Sequence, residues 1–523
     1  MGKVPNGSTE CCTARNVLWH LVFLGFAVNY MLRTNLNIAI VSMVKYRSNN
    51  NLTLTSECLD NNKSKIDNSS LARDSELNYN LTSFKNEIFI NATPVETQPN
   101  TFAWNEKQQS SILGAFFWLH WLTQVPGGIL GSKYGAKLVF GLANFTAILC
   151  CFFIPMSAFM GHQYLIALRI VQGILAGFAW PAMHNMTARW IPPNERSKFV
   201  TAYLGSSIGA ALTYPVCGFI IHKWGWEWVF YTSGVVGTVW FAAWWFLVYD
   251  SPAKHPRISP EEKEYILESL GQSYTKQKAP VPWKSIIFSV PVWMNILAQW
   301  GGIWGFFTLM THAPTYFKFI HGWNIQATGL LSGLGHVFRT TWSYLSGLLG
   351  DYLLRTNKMS RTNVRKLATA GCTIGQGLCM LGLAYSGCDY TWAVIWLSAA
   401  VAMNGSVSTG PLASVVDISP NYASVILGIV NSVVALVGFI TPAVVGQLTF
   451  QNQTVPQWQK VFLISTAMLI STGILFVLFS KSELQPWNSP DKQSKQNESE
   501  LMVMNNKDDK ADEKKDTAVT IKQ

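Results

Sequence analysis

Apolar stretches of about 20 residues, the length a helix needs to cross a bilayer, recur twelve times along the 523-residue chain. They occupy 17–43, 110–131, 138–160, 164–190, 199–221, 228–249, 291–317, 327–349, 367–385, 392–416, 424–449 and 460–479. Backbone polar groups in hydrocarbon must pair within their own segment, so each run is expected to be an α-helix. The run at 17–43 is too long for a signal peptide and no small-residue cleavage site follows it. It is expected to stay as the first membrane helix. The pattern thus predicts an all-α membrane protein with 12 transmembrane helices, six on each side of a polar linker at 250–290. The linker holds SPEEKEYILESL (259–270), where Ser259-x-x-Glu262 predicts a capping box opening a short helix.

Composition agrees: 49% of residues are hydrophobic, 13% are charged and 22 are Trp, far from a soluble average. Charge placement sets the orientation, because basic residues favour cytoplasmic loops. The loops after runs 2, 4, 6 and 8 carry sixteen Lys or Arg, whereas the short loops after runs 3, 5, 7, 9 and 11 carry three. Both termini are therefore expected to be cytoplasmic: 1–16 before the first half (17–249), and 481–523 after the second half (291–480). The 481–523 tail is charged and expected to be disordered. The net charge of +11 reflects this loop bias and gives no ground for nucleic-acid binding. The loop at 45–107 is expected outside, where its five N-x-S/T sites at Asn51, Asn62, Asn68, Asn80 and Asn91 can be glycosylated. Asn452, in the loop before the last run, is a sixth.

Cysteine is sparse. Cys11 and Cys12 precede the first run and are candidates for palmitoylation. Cys58 and Cys388 both face outward and either pair or remain thiols. No Cys/His spacing suggests a metal site, and no cofactor is implied. The start MGKVPN lacks the Ser or Thr of a myristoylation signal.

A weak repeat links the halves. GILGSKYGAK (128–137) follows run 2 and GLLGDYLLR (347–355) follows run 8. Both resemble the Gly-x-x-x-Asp-Arg-x-Gly-Arg loop of the major facilitator superfamily, whose six-plus-six plan the run count reproduces. Asp351 keeps the acid of that motif, which is thought to latch helix ends; Ser132 replaces it in the first half.

The polar residues inside the runs carry the chemistry. Asn29, Arg33 and Asn37 share one helix face at i, i+4 and i+8. The fourth run holds Arg169 and Gln172, then Gly173 and Gly177 as a small-x-x-x-small pair for close helix approach. Pro181 follows, expected to free carbonyls near His184 and Asn185. The eighth run carries Ser332, His336, Arg339 and Ser343 as one stripe. Three arginines thus lie in spans with no Asp or Glu deep in any; Asp417 is near a run end, and Asp250 and Asp351 are at the boundary. A cation near the bilayer centre costs at least ~2.5–3.5 kcal/mol on insertion scales. Each arginine could instead be structural, bonding carbonyls or snorkelling. Three cations without anions nevertheless point to a cavity that attracts an anion, and the planar fork of arginine suits carboxylate or phosphate.

Several strings carry a wider resemblance: LRTNLNIAIVSMV, FFWLHWLTQVPGGILGSK, LRIVQG with AWPAMHNMTARWIPPNERSK, PTYF, DISPNYASVILGIVNS, and WQKVFLIS with QPW. From Ala14 to Trp487 the chain resembles the anion transporter family of sodium/phosphate cotransporters, sialin and vesicular glutamate transporters. Most of all it resembles the invertebrate members described as inorganic phosphate cotransporters. The resemblance implies a major facilitator fold and places the family's anion-binding arginines on Arg33 and Arg169. Sialin-like and glutamate-carrying members have a Glu where this chain has Ala176. The glutamate carriers also have a His at Leu113, an Arg at Gly302 and Asn-His at Ser414-Val415. These departures argue against vesicular glutamate transport and weaken proton coupling.

The expectation is therefore a secondary active transporter rather than an enzyme: a symporter taking up inorganic phosphate or a small organic anion by alternating access. Na+ is the candidate coupling ion. Substrate contacts are expected from Arg33, Arg169, Asn29, Asn37, Gln172, His336 and Arg339, and coupling or gating from His184, Asn185, Asp417 and Asp351. Membrane lipid and the anion are the expected partners of a monomer, with the plasma membrane favoured. The alternative is a lysosomal or vesicular exporter of acidic sugars or amino acids driven by protons or potential; only His120, His184, His312 and His336 could carry its protons. A receptor or enzyme would need a nucleophile–base pair, metal spacing or phosphate-cradling loop, and GQGLCMLG (375–382) reads as helix packing.

Overall fold

The computed structural model of the protein describes residues 13–45, 57–58, 100–192, 195, 199, 201–274 and 281–488. The five outer-loop sequons, Cys11 and Cys12, and the chain beyond residue 488 lie outside them. All twelve apolar runs are helical. In chain order these are α1 (Ala14–Met43), α2 (Glu106–Ala115, then Gln124–Tyr134), α3 (Ala136–Met160) and α4 (His162–Gly177, then Ala179–Trp190). Then come α5 (Gly205–Trp224), α6 (Glu227–Leu247), the linker helix α7 (Pro260–Tyr274), α8 (Val290–Phe319) and α9 (Ile325–Arg355). Last are α10 (Arg361–Ala370, then Gln376–Ala384), α11 (Tyr390–Met403, then Ala413–Ile418), α12 (Ala423–Ala435, then Val437–Leu448) and α13 (Val455–Phe479). Among the described residues nine helices are long and apolar enough to cross a membrane by length and composition. The runs that fall short of that measure are α2, which is interrupted, and α8 and α9, which carry many of the buried polar side chains.

The interruptions have local causes. α4 breaks at Phe178, and Pro181 supplies the reason: its ring clashes with the carbonyl four residues back, that of Gly177. The α2 helix, expected to be continuous, loses its regular bonding between Ala115 and Gln124 where α4 presses on it. A Cβ at Gly173 would stand 1.8 Å from the Phe116 carbonyl oxygen, and one at Gly177 would stand 1.9 Å from Thr123 Oγ1. Only glycine permits that approach, which seats Phe116 and Phe117 deep in the molecule.

The expected capping box at α7 is half made. Ser259 Oγ accepts from the Glu262 amide at 3.2 Å, but the Glu262 carboxylate does not turn back to Ser259. It accepts instead from the Ala14 and Arg15 amides and from Arg15 Nε, at 3.1, 3.2 and 2.9 Å. A carboxylate at a helix N-terminus meets unpaired N–H groups and the positive dipole end, so the linker caps α1. Arg15 Nη1 also pairs with Glu195 at 2.6 Å, and the Tyr265 hydroxyl donates to Glu195.

The tail expectation needs correcting at its start. Residues 481–488 dock beneath α11 and α12 rather than running free: the Gln485 amide donates to the Ile418 carbonyl, and Asn488 Oδ1 accepts from Ser419 Oγ and the Asn421 amide. Polar residues pairing with a helix–helix turn do this without any apolar pattern to announce it.

A large buried apolar cluster runs through α1–α6 and takes in Trp304, Phe306, Phe307 and Met310 of α8; two others are built mainly from α8–α13, one with Cys58 and the other with Ile286. The two sets of helices meet closely where α5 faces α9. There a Cβ on Gly329 would come within 2.5 Å of the Tyr214 carbonyl and one on Gly333 within 2.6 Å of that of Ala211. α2 meets α12 at the same end, where Glu106 accepts from the Gln451 amide. Cys58 is bonded to Cys388, its amide donates to Ile320, and Glu57 caps α13 at Val455. Toward the opposite ends of α4 and α11, His184 and Val416 are exposed.

Candidate functional site

Arg33 sits midway along α1 with no acidic partner among the described residues and with its Nε buried and unbonded. Four rings surround its guanidinium carbon: Phe117 at 4.4 Å, Tyr30 and Phe116 at 5.3 Å each, and Phe307 at 5.5 Å. Three rings come from α1 and α2 and the fourth from α8, so the cage closes between the two sets of helices. Ring faces attract a cation by about 0.5–2 kcal/mol each depending on desolvation. Ring faces accept no hydrogen bond of ordinary strength; the Tyr30 hydroxyl accepts one from the fork, and the remaining donors meet no acidic side chain among the described residues.

Arg169 also lies against the Phe116 ring, 4.9 Å from its centroid. It is 1% exposed and bonded through Nη1 to Gln172 Oε1 at 2.7 Å and to the Leu32 carbonyl at 3.4 Å, with Nε unbonded. Gln172 donates in turn to the Ala147 carbonyl. This pair is buried among α1, α3 and α4.

A third cation lies against a neighbouring ring. Arg339 of α9 lies 4.5 Å from the ring of Phe306, the chain neighbour of Phe307. Arg339 bonds Asn404 Oδ1 of α11 at 2.9 Å and Ser207 Oγ of α5 at 2.5 Å. One turn earlier, His336 stacks on Tyr214 with ring centroids 5.7 Å apart and its Nδ1 buried without a partner.

Other expected residues divide by partner. Asn37 reaches the interface, donating to the Met310 carbonyl and Tyr214 hydroxyl. Asn29 does not join it: its amide donates to Asn144 of α3 at 2.9 Å, inside the first half. The shared face is real, but a bundle gives each level of a helix different neighbours. Asn185 donates to the Gly128 carbonyl at 2.8 Å, a contact between α2 and α4. His184 is exposed and near the Tyr203 hydroxyl, which also bonds Thr187. Asp417 pairs with Arg365 at 2.7 Å and lies 3.9 Å from Arg361, joining α10 to α11. Asp351 is exposed on α9 and unpaired among the described residues. His120 is held by the Gly173 carbonyl on one ring nitrogen and Gln124 on the other. Among the described residues no group of three or more His, Cys, Asp or Glu could hold a metal ion.

Sequence reasoning missed the rings and Ser207. Apolar aromatics in a membrane span carry no contrast with their surroundings, although Tyr30, three residues before Arg33 on the same face, was a usable signal.

Comparisons with known proteins place the chain in a family. The profile of the Major Facilitator Superfamily matches residues 22–442. Sialin of Homo sapiens is 37% identical over 91% of both chains. Vesicular glutamate transporter 3 of Danio rerio is 34% identical over 92% of this chain and 75% of its own. The Drosophila ananassae protein named "Putative inorganic phosphate cotransporter" is 32% identical over 90% and 93%. Among solved structures, a bacterial homologue of the human lysosomal transporter Spinster aligns with a TM-score of 0.60 at 13% identity, covering 92% of this chain and all of its own. The D-xylose–proton symporter aligns at 0.55 and 15%, covering 89% and 98%. The chain is a multi-pass membrane transporter of the major facilitator superfamily and belongs to its anion-transporter family, with sialin, the vesicular glutamate transporters and the phosphate cotransporters.

Proposed function

We propose that the protein is a secondary active transporter that takes up inorganic phosphate or a small carboxylate by alternating access, with Arg33 as the principal anion ligand. The observation that carries this is the Arg33 guanidinium, held by rings from both sets of helices and lacking an acidic partner among the described residues. A bound anion supplies the missing charge, and Arg339, His336 and Asn37 border the same interface. Arg169, held by Gln172, packs on the Phe116 ring, fixing the cage and adding positive potential. Sodium or the membrane potential supplies the drive, because Ala176 offers no carboxylate for proton exchange. The plasma membrane is the favoured location.

The higher identity to human sialin than to the Drosophila cotransporter favours a second reading, export of acidic sugars or amino acids from a lysosome or vesicle. Uptake of labelled phosphate, glucuronate and glutamate into proteoliposomes, with sodium, proton and voltage gradients imposed separately, tests both. Phosphate or carboxylate accumulation on sodium or voltage supports the first. Accumulation of acidic sugars on a proton gradient alone replaces it with the second.

A further inference from the structure

We propose that Arg339 is a clasp between the two sets of helices and that the transported anion releases it; this rests on the anion-transport reading above. Its guanidinium donates to Ser207 Oγ on α5 and to Asn404 Oδ1 on α11, so one side chain ties the first half to two helices of the second. Both acceptors are neutral, and no acidic side chain pairs with Arg339 among the described residues. A carboxylate or phosphate oxygen binds guanidinium more strongly than a hydroxyl does. The route for such an exchange is short. Arg33 lies against Phe307 and Arg339 against Phe306, the adjacent ring 6.0 Å away.

An anion entering between these guanidiniums draws Arg339 away from Ser207. α5 and α9 are then joined at this depth only by packing and the His336–Tyr214 stack. The empty carrier keeps the clasp and crosses slowly between its two arrangements, whereas the loaded carrier has lost it. This gives the ligand a different interaction with each state, which any ligand-driven shift requires. Ser207 is a positioning residue that acts through Arg339.

Ser207→Ala removes the acceptor without altering any charge, and Ser207→Thr keeps the hydroxyl. Labelled phosphate and labelled glucuronate fluxes are measured in proteoliposomes preloaded with the same anion (exchange) or without it (net uptake). Exchange should exceed net uptake by about fivefold or more in the wild type and Ser207→Thr, the low end of a typical coupling. In Ser207→Ala the two rates should approach each other because net uptake rises. Equal ratios in all three proteins overturn the clasp while leaving anion transport standing. Hydrogen exchange of residues 325–333 reports on the clasp without any flux. Phosphate or glucuronate should raise it in the wild type, and Ser207→Ala should show the raised level with no anion present. Unchanged exchange in Ser207→Ala also overturns the clasp, and a wild type that moves neither anion overturns the transport reading instead.

Discussion

The guanidinium of Arg33 lies 4.4 Å from the centre of the Phe117 ring, and this contact explains how a cation can stand in a membrane span without an acidic partner. The ring offsets part of the desolvation cost without taking up a hydrogen-bond donor of the fork. Removing the ring should loosen the fork but keep the charge. Phe117→Leu is expected to raise the apparent KM for the transported anion by about 3- to 30-fold, the equivalent of one cation–π contact, with folded yield maintained. An unchanged KM would show that the ring does not orient Arg33.

Arg169 should respond differently. It is fully buried and bonded to Gln172 and Leu32, so Arg169→Ala leaves Gln172 Oε1 unsatisfied in the interior, a cost of about 1–3 kcal/mol. Thermal unfolding in detergent should shift down for Arg169→Ala and not for Arg33→Ala. If Arg33→Ala is destabilised as much, the distinction between a free and a braced guanidinium fails.

The helices were legible in the sequence because lipid leaves few alternatives to an apolar run of that length. Intramembrane arginines were legible for the same reason: they are costly and stand out. What could not be read was which partner each one meets. Asn29 and Asn37 share a face, yet one packs on Asn144 and the other at the Met310 carbonyl, a difference set by helix arrangement. Asp417, a gating candidate, meets Arg365, a partner the sequence could not name, since a carboxylate near a helix end pairs with whatever base the fold brings there. The Glu262 cap on α1 was hidden because the local box motif and the long-range cap use the same residue.

Proton dependence, if present, must run through histidine. His120 is engaged at both ring nitrogens, leaving His184, which is exposed, and His312 and His336, each buried with one ring nitrogen unpartnered. Proton-driven accumulation that survives His184→Gln combined with His336→Gln would show that another group replaces the carboxylate absent at Ala176.

Glycosylation tests the orientation. The sixth sequon, Asn452, is exposed in the turn between α12 and α13. Changing Asn51, Asn62, Asn68, Asn80, Asn91 and Asn452 together to Gln should abolish the glycosidase-sensitive mobility shift. A shift that persists places a sugar elsewhere and contradicts the topology.

Equilibrium binding of labelled phosphate and glucuronate to the purified protein, with no gradient present, tests the role of Arg33 most directly. The wild type should bind at least one of these anions. Arg33→Lys and Arg33→Gln should weaken that binding by roughly 10- to 100-fold, the loss of a charge-assisted bond of about 1.5–3 kcal/mol, while unfolding temperature stays at the wild-type value. Binding by Arg33→Gln as tight as that of the wild type would contradict the account.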